Sequence, residues 1–323
     1  MRAITLDKPG GPENLQFSEV ETPSAGPGEI LLKVRAAGVN RADLMQREGN
    51  YPPPPGASPI LGMEASGEVA EIGEGVTGWE LGDLAVALLA GGGYSEYVNV
   101  PAGQVIPPPD DIDIVTAAGL VEVAATVSSN LRIAGLAEEE VVLVHGGSGG
   151  IGSFAIQYAK ALGATVIATA GSQEKLDYIR SIGADLAVSY REDWVGAIKD
   201  FTDGRGVDII LDNMGAKYLQ AHVDLLASDG RLIVIGLQGG RKGTLDLGTL
   251  LTKRGRVIAT SLRSRSVAEK ADILRTVRRS VWPLVSSGDI LPAPQTEFAL
   301  EQAAEAHRRL ESGDNLGKIV LTV

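Results

Sequence analysis

The sequence has no cysteine and only three histidines, His145, His222 and His307. Without cysteine the chain can form no disulfide, no thiolate zinc site, no iron–sulfur cluster and no cysteine nucleophile. A three-histidine metal site would need every histidine of the chain, drawn from three distant segments. We therefore expect no resident metal ion.

Positive charge and long apolar runs are also scarce. The 323 residues carry 29 Lys and Arg against 41 Asp and Glu, a formal net charge of −12, which argues against a protein that binds phosphate backbones. The longest apolar stretch, Leu84 to Ala90, is too short to span a bilayer, and the first seven residues contain no apolar signal core. We expect a cytoplasmic globular protein with neither a nucleic acid nor a membrane as partner.

Glycine is abundant, and the length predicts two domains. In the first third, Ile30–Val34 follows the turn signal Gly26–Gly28, and Gly67–Gly73 alternates apolar and charged residues as a half-buried strand does. Prolines exclude a helix over Tyr51–Gly56. Residues 1–123 are therefore predicted to form a small antiparallel β-rich domain.

The middle of the chain alternates apolar runs with helical stretches, which predicts an α/β fold with a doubly wound, parallel, six-stranded sheet over residues 124–262. Residues 263–323 are expected to complete the first domain, beginning with a basic helix over Val267–Val285. A helical period covers Phe298–Leu310, and the last six residues read as a strand that returns to the N-terminal domain. The predicted sheet elements are strands Val141–Val144, Thr165–Ala170, Leu186–Ser189, Val207–Asp212, Arg231–Gly236 and Arg256–Thr260, and helices Ile151–Leu162, Gln173–Ile182, Asp193–Phe201 and Ala216–Leu226.

The most informative local pattern is a G-x-G-x-x-G at Gly147, Gly149 and Gly152, between a buried strand and a helix. Gly147 allows a tight turn, Gly149 lets the backbone approach a pyrophosphate, and Gly152 lets the helix pack close to the sheet. Free N–H groups at the helix start, around Gly150 and Ile151, would face the phosphates. A βα turn that binds nothing is the simpler alternative.

The same residues also contain G-x-S-x-G, at Gly146, Ser148 and Gly150. On a strand–turn–helix this could be the nucleophile elbow of a hydrolase, with His222 or His307 as base and Asp212 as acid. That interpretation explains Gly149 and Gly152 poorly.

The end of the second strand of this unit selects the nucleotide. A protein that binds the ribose 2′-hydroxyl usually places an acidic residue about 20 residues beyond the glycines, but here Ala170-Gly171-Ser172 ends the strand. Lys175 follows one turn later. A hydroxyl and an ammonium suit a 2′-phosphate and so favour NADPH over NADH. The alternative is that Lys175 is an ordinary surface lysine.

Several separated motifs give the chain a resemblance to a known family over its whole length. It resembles the zinc-free quinone oxidoreductases (zeta-crystallin-like) of the medium-chain dehydrogenase/reductase superfamily. The motifs that carry the resemblance are Asp7–Leu15, Asn40–Arg47, Gly62–Gly67 and Asn315–Leu321.

The resemblance implies a GroES-like domain and a Rossmann domain, with the active cleft between them. In zinc-bearing relatives a histidine stands where this chain has Met63, and the cysteine ligand expected near Asn40 is missing. Hydride transfer without a metal Lewis acid suits a quinone better than a simple alcohol or ketone. One stretch departs from the family, because Leu120–Ser128 has small residues where the family tends to have a proline and bulky aromatics.

The resemblance also implies roles for individual residues. Asn40 and Tyr51 would lie at the nicotinamide end and shape the substrate pocket, although Asn40 could instead cap a helix and Tyr51 could be an ordinary loop aromatic. Lys318 could be solvated. The residues implied in cofactor binding besides the glycine loop are Thr126 at the nicotinamide ribose or carboxamide, Ser172, Lys175 and Tyr190 at the 2′-phosphate, Leu237, Ser261, Leu262 and Arg263 through backbone groups at the nicotinamide half, and Asn315 and Lys318 from the tail.

The sequence therefore predicts an NADPH-dependent reductase of small-molecule quinones. An enoyl or alkenal reductase that uses the same hydride is the nearest alternative, and a nucleotide-responsive binding protein with little turnover is another. The resemblance also implies a homodimer, in which the edge strand Arg256–Thr260 could pair with its mate.

Overall fold

The structure, a computed structural model, describes residues 1–323. The chain divides into two compact units. The first comprises Met1–Ala125, Leu262–Gly288 and Pro292–Val323, and the second comprises Thr126–Ser261 with Asp289–Leu291. The boundaries expected from the sequence, 123/124 and 262/263, lie two residues and one residue from this division. The short segment Asp289–Leu291 was not foreseen.

Fifteen strands and eleven α-helices make up the two units. The strands are β1 (Arg2–Leu6), β2 (Leu15–Glu19), β3 (Glu29–Val39), β4 (Glu64–Ile72), β5 (Leu84–Leu88), β6 (Tyr97–Pro101), β7 (Val105–Ile106), β8 (Val141–Val144), β9 (Thr165–Ala170), β10 (Leu186–Ser189), β11 (Val207–Asp212), β12 (Leu226–Val234), β13 (Arg256–Ala259), β14 (Gln295–Ala299) and β15 (Lys318–Thr322). The helices are α1 (Arg41–Arg47), α2 (Ile114–Ala117), α3 (Val121–Ala134), α4 (Gly150–Ala161), α5 (Gln173–Ser181), α6 (Trp194–Phe201), α7 (Leu219–Leu225), α8 (Leu247–Thr252), α9 (Val267–Thr276), α10 (Trp282–Ser286) and α11 (Ala303–Ser312).

The second unit contains one parallel sheet in the order β10-β9-β8-β11-β12-β13. This is the strand order 3-2-1-4-5-6 of a Rossmann fold, which confirms the predicted doubly wound sheet. All four residues of β8 are buried, because strands at the centre of a parallel sheet are covered on both faces. The order reverses between β8 and β11, so the loops after these strands border the place where such folds bind nucleotides.

The first unit contains a seven-stranded sheet and the separate ribbon β1-β2. The main path runs β14-β15-β3-β4-β5-β7, with β6 also paired to β3. Ile319 of β15 lies opposite Val39 of β3, which confirms that the last strand returns to the N-terminal domain. The sheet is not wholly antiparallel, because β14 and β15 run parallel.

The helix predicted over Phe298–Leu310 is partly wrong. Phe298 lies in strand β14, and the α-helix begins only at Ala303. The whole of β14 pairs residue for residue with β15. This long-range pairing overrides the local helical period, as tertiary context often does.

Two other predicted helices are interrupted. The stretch Val267–Val285 contains α9, a π-helical turn at Val277–Val281 and then α10. Pro283 lies in the first turn of α10, where its missing N–H is tolerated. In the interior of one continuous α-helix the same proline would remove a hydrogen bond and break or kink the helix. The stretch Ala216–Leu226 begins as a 3-10 turn, and Leu226 already belongs to β12, which starts earlier than predicted.

No helix of the chain combines the length and the apolar character needed to cross a bilayer.

Candidate functional site

The glycine loop joins β8 to α4, and its three glycines are needed for different reasons. A Cβ on Gly152 would overlap the carbonyl oxygen of Gly146, and a Cβ on Gly147 would lie 3.0 Å from the Ala168 side chain. By contrast, a Cβ on Gly149 would meet only the Gly146 oxygen, at 3.6 Å. Packing within the protein therefore explains Gly147 and Gly152 but leaves Gly149 unexplained. A bare backbone at Gly149 fits a group that approaches from outside the chain.

The loop is held so that the first amides of α4 are offered to a ligand. Gly146 has a positive φ of 65°, its carbonyl accepts the Gly149 N–H at 3.1 Å, and the Gly147 N–H donates to the Thr169 carbonyl at 2.9 Å. Gly149 is the N-cap of α4. The N–H groups of Gly150, Ile151 and Gly152 lie in the first turn, where no intrahelical acceptor exists and the helix dipole favours an anion. These residues fit a diphosphate.

The candidate 2′-phosphate residues come together at the ends of β9 and β10. Ser172 is the N-cap of α5, and its hydroxyl accepts the Lys175 backbone N–H at 3.4 Å. A Cβ on Gly171 would overlap the Tyr190 hydroxyl, so Tyr190 lies directly against the turn that carries Ser172. Asp177 is bonded to Arg180 at 2.8 Å on the exposed face of α5. The hydroxyls of Ser172 and Tyr190 therefore lie near this turn, Lys175 follows it in the first turn of α5, and their binding of a 2′-phosphate stays a prediction.

Thr126 lies in helix α3, whereas Leu237 and Ser261 lie on the loops after β12 and β13. The Thr126 carbonyl accepts from the Asn130 side chain at 2.7 Å, and Asn130 in turn accepts from the Thr260 hydroxyl at 2.7 Å. Asn130 thus connects Thr126 to the residue before Ser261. Leu237 follows β12 and is 41% exposed.

In the first unit, Asn40, Glu64 and Lys318 form a buried polar group that we call the Asn40 cluster. The Lys318 ammonium lies 2.6 Å from both Asn40 Oδ1 and Glu64 Oε1, and Asn40 Nδ2 donates to Glu64 Oε1 at 2.9 Å. Glu64 is completely buried and Lys318 is 4% exposed. Lys318 is therefore not a solvated lysine. The structure brings Asn40 and Lys318 together, and their roles stay predictions.

Asn40 is also a helix cap, so the competing interpretation of this residue holds in part. It precedes α1 as the N-cap, and its backbone N–H donates to Asp43 Oδ2 at 2.8 Å. Its side chain nevertheless turns to Glu64 and Lys318. The cap is therefore made by the backbone of Asn40, and the amide of its side chain is used in the cluster.

Tyr51 is held by Arg263, which the sequence had placed near the cofactor through its backbone. The Arg263 guanidinium lies 5.2 Å from the Tyr51 ring centre and donates to the Tyr51 carbonyl at 3.2 Å. It also donates to Gln46 Oε1 at 2.6 Å and to the Ala90 carbonyl at 2.8 Å. Arg263, like Leu262, belongs to the first unit. Two contacts with Arg263 thus hold Tyr51, and its place in the substrate pocket stays a prediction.

Asn315 shapes the turn before β15. Its Nδ2 donates to the Gly317 carbonyl at 3.0 Å, and its Oδ1 accepts from the Thr296 hydroxyl at 3.4 Å. These bonds support the start of the strand that carries Lys318. The Asn315 side chain acts here on its own chain, and its contact with a cofactor stays a prediction.

The residues present do not fit a zinc ion. No group of three or more His, Cys, Asp or Glu side chains could hold a metal. Where zinc-bearing dehydrogenases would need ligands, this chain has the Asn40 amide and Met63, and the Lys318 ammonium already occupies the oxygens of Asn40 and Glu64. A second cation beside that ammonium would be repelled.

The hydrolase alternative finds no assembled triad. His307 lies between Arg47 Nη1, at 3.4 Å, and the Tyr94 hydroxyl, at 3.2 Å. His222 Nε2 lies 2.8 Å from His145 Nε2. Both rings are completely buried, and neither is bonded to Ser148.

Sequence reasoning missed several buried polar residues. Glu64 stood in a quoted motif without a role, yet it is the carboxylate of the Asn40 cluster. Asp43 accepts from Asn40, from Gly62 N at 3.1 Å and from the Tyr94 hydroxyl at 3.2 Å, and burial raises the pKa of Asp43 to about 6. No local pattern marks Glu64, since its partners Asn40 and Lys318 are distant in sequence. Asp43 does carry a local signal, because it stands at the third helical position after Asn40 and closes a capping box with it.

Family models match both parts of the chain. Residues 26–110 match the model described as alcohol dehydrogenase GroES-like domain, and residues 150–277 match the model described as zinc-binding dehydrogenase.

Full-length relatives are similar in sequence and in structure. A quinone oxidoreductase of Pseudomonas aeruginosa is 33% identical over 315 residues, which cover 97% of this chain and 96% of the relative. A 2-haloacrylate reductase of Burkholderia is 31% identical over 99% of this chain and 98% of the relative. The crystal structure of Escherichia coli quinone oxidoreductase complexed with NADPH has a TM-score of 0.90 and 31% identity, covering all of both chains.

Proposed function

We propose, because the chain belongs to the quinone oxidoreductase family of the medium-chain dehydrogenase/reductase superfamily, that it reduces quinones with NADPH. The observation that carries the proposal is that the likeness to an NADPH-complexed quinone oxidoreductase extends over the whole of both chains. The glycine loop supports it independently, because Gly149 leaves the backbone bare at the start of α4 where packing within the protein would tolerate a side chain.

Each part of the cofactor has candidate residues in this chain. Gly147, Gly149, Gly150, Ile151 and Gly152 would hold the diphosphate, and Ser172, Lys175 and Tyr190 would hold the 2′-phosphate. When bound, NADPH supplies the hydride. The further residues proposed to contact it are Thr126, Leu237, Ser261, Leu262, Arg263, Asn315 and Lys318.

The chain's own contribution to the reaction would be orientation and exclusion of water. Asn40, fixed by Glu64 and Lys318, and Tyr51, fixed by Arg263, would shape the quinone site. The quinone gains a hydride and one proton and leaves as the hydroquinone, with the proton taken from Tyr51 or from water. We propose that no zinc takes part, which the chemistry of the Asn40 cluster supports.

The decisive test is turnover. Purified protein mixed with NADPH and an ortho-quinone should consume the reduced nicotinamide, followed by its absorbance, and should do so equally after dialysis against a chelator. No quinone-dependent oxidation of NADPH would contradict the proposal and would leave a nucleotide-responsive binding protein. Activity that disappears with the chelator and returns with zinc would contradict the metal-free mechanism alone.

A reductase of activated C=C bonds is the second candidate. The full-length similarity to a 2-haloacrylate reductase favours it, and both reactions use the same hydride. Turnover of quinones and of α,β-unsaturated carbonyls measured side by side separates the two. A kcat/KM for the unsaturated carbonyl at least as high as for the quinone would replace the first proposal.

We also propose a homodimer formed through the open edge of the Rossmann sheet. Strand β13 is the last strand of that sheet, and the nearby helix α8 exposes Leu247 at 69% and Leu251 at 79%. An open edge and an apolar helix face would both be covered by a second copy. Leu251→Glu should shift the mass measured by light scattering from dimer to monomer, whereas Leu81→Glu, at a leucine that is 69% exposed in the first unit, should not. A cytoplasmic location stays a prediction.

A further inference from the structure

A buried chain of polar side chains lies beneath the glycine loop. Thr169 is the penultimate residue of β9, His145 follows β8, and Asp212 is the last residue of β11. These three strands are neighbours in the sheet, so their carboxyl ends share one edge. His222 on α7 completes the group, and all four side chains are at least nine-tenths buried. We call these four residues the histidine pair network.

Hydrogen bonds connect Gly146, Thr169, His145 and His222 in one line, and Asp212 lies at the end of that line without a hydrogen bond to His222. Thr169 Oγ1 lies 3.0 Å from His145 Nδ1 and accepts the Gly146 N–H at 3.4 Å. His145 Nε2 lies 2.8 Å from His222 Nε2. His222 Nδ1 has no hydrogen-bond partner but lies 3.7 Å from Asp212 Oδ2. The hydrogen bonds therefore run from Gly146 in the glycine loop to His222, and Asp212 at the end of β11 lies beside the far ring.

Physical chemistry allows one favourable order of protons along this line. The Gly146 amide can only donate, and the buried Thr169 hydroxyl proton needs an acceptor, which is His145 Nδ1. His145 then carries its proton on Nε2 and donates it to the lone pair of His222 Nε2. His222 must therefore carry its own proton on Nδ1, facing the Asp212 carboxylate. The reverse order would point a lone pair of His222 at that carboxylate and would leave the Thr169 hydroxyl proton without an acceptor.

Both rings must be neutral for this order to exist, because a doubly protonated ring has no lone pair to accept with. Their burial agrees, since it lowers the pKa of His145 to about 4 and that of His222 to about 2. Trp194 packs against His145, with ring centres 5.1 Å apart, and keeps the pair away from water.

The two ends of the line are attached to backbone that borders the proposed cofactor site. Thr169 holds Gly146 by its hydroxyl and Gly147 by its carbonyl. Asp212 accepts the N–H groups of Met214, at 2.7 Å, and Gly215, at 2.9 Å. The network thus links the loop after β8 to the loop after β11, on either side of the point where the strand order reverses.

We propose that Thr169, His145 and His222 are positioning residues for NADPH, which hold Gly146 and hence the diphosphate loop through a fixed order of protons. The inference rests on the proposed NADPH-dependent function. It assigns no contact with the cofactor to these side chains, which act only through the backbone of the loop.

The test compares variants that keep or remove single hydrogen bonds at constant shape. Thr169→Val should raise the Kd for NADPH about tenfold, because the loss of one buried hydrogen bond usually costs that much affinity. The same variant should leave kcat at saturating NADPH and the KM for the quinone within about twofold of the wild type. Thr169→Ser, which keeps the hydroxyl, should restore the Kd. His222→Leu should resemble Thr169→Val, whereas His222→Gln, whose amide oxygen can accept from His145, should resemble the wild type.

A spectroscopic measurement keeps the inference separate from the proposed function. In protein labelled with ¹⁵N-histidine, the shifts should show His145 protonated at Nε2 and His222 at Nδ1. Opposite tautomers, or a charged ring, would overturn the proton order even if NADPH binds. An unchanged NADPH Kd in Thr169→Val would overturn the positioning role. A fall in kcat together with a rise in the KM for the quinone in that variant would overturn it too, because it would indicate a merely structural role. Wild-type protein that binds no NADPH would refute the proposed function, whatever the tautomers.

Discussion

The glycine loop and the Asn40 cluster, one in each unit, are built in opposite ways. The loop is made of backbone from eight consecutive residues, 145–152, and it offers amides and a helix dipole to an anion. The cluster is made of side chains whose hydrogen-bonded partners are 24 and 278 residues apart in sequence. The first can be found by a local pattern, whereas the second exists only when β3, β4 and β15 are adjacent.

The two regions also depend on different interactions for their stability. In the loop, a glycine is needed because a side chain would overlap backbone or would block a ligand. In the cluster, a fully buried carboxylate is tolerated because an ammonium and an amide satisfy it. Changes in the loop should therefore separate packing from binding, whereas changes in the cluster should act on folding first.

The largest effect is expected for Lys318→Met, which leaves the buried Glu64 carboxylate without its cation. The free energy of unfolding should fall by about 3–5 kcal/mol, measured by urea denaturation. The double variant Lys318→Met with Glu64→Gln should recover most of this loss, because no charge then remains uncompensated.

The matched control for Lys318 is Lys160→Met, which breaks the half-exposed ion pair with Asp185 and should cost less than about 1 kcal/mol. If the Lys318 and Lys160 variants lost equal stability, the cluster would not be a desolvated charge site.

The second and third glycines of the loop, Gly149 and Gly152, should respond differently to alanine. Gly152→Ala should lower the free energy of unfolding by about 3 kcal/mol, because its Cβ overlaps backbone that cannot move away easily. Gly149→Ala should cost less than about 1 kcal/mol but should weaken NADPH binding more than tenfold. Urea denaturation measures the free energy of unfolding, and calorimetry measures the Kd for NADPH. If the two variants lost NADPH affinity in the same proportion to their lost stability, packing and binding would not be separate roles of the two glycines.

Lys175→Ala should act on binding alone. Loss of one charge-assisted hydrogen bond, about 2 kcal/mol, should raise the Kd for NADPH about thirtyfold and change that for NADH less than about twofold. Lys199→Ala on the exposed face of α6 is the control. Equal weakening of NADPH and NADH would show that Lys175 does not bind the 2′-phosphate.

The smallest effect is a difference in acid stability between the units. Burial lowers the pKa of His145 to about 4, His222 to about 2 and His307 to about 3. A histidine with a lowered pKa stabilises the fold above its unfolded value of 6.5, and this contribution is lost as the pH falls. Burial also raises the pKa of Asp43 and Asp212 to about 6, and their stabilising contribution, present at low pH, is lost as the pH rises through that value.

Between about pH 6 and pH 4 the pH-dependent contributions to stability cancel in the first unit, because His307 takes up a proton on unfolding and Asp43 releases one. The second unit has two such histidines and one aspartate, so its unfolding takes up about one net proton and its stability should fall by about 1.4 kcal/mol per pH unit. Hydrogen exchange, corrected for intrinsic rates, should show the loss in the Rossmann unit first. Equal loss in both units would show that the histidines are not held neutral.

Much of the fold was predictable, for reasons that individual elements make clear. The strands Thr165–Ala170, Leu186–Ser189 and Val207–Asp212 have the predicted bounds, because short apolar runs between turns have few alternatives. Strand β14 was missed because it resembles a helix locally and becomes a strand only by pairing with β15. The glycine loop was predictable in the same way as the strands, whereas the partners of Asn40 and Lys318 were not.

The sequence alone determined the Rossmann sheet and the glycine loop, since periodicity and glycine spacing depend on neighbours within about one turn or strand. The absence of cysteine likewise determined the lack of thiolate metal ligands. Only the tertiary structure decided that Lys318 is buried on Glu64, that Arg263 holds Tyr51 and that His145 lies within hydrogen-bond distance of His222 beneath the loop. Those contacts join residues far apart in the chain, because a polar side chain taken out of water must find its partner among the groups that the fold brings near it.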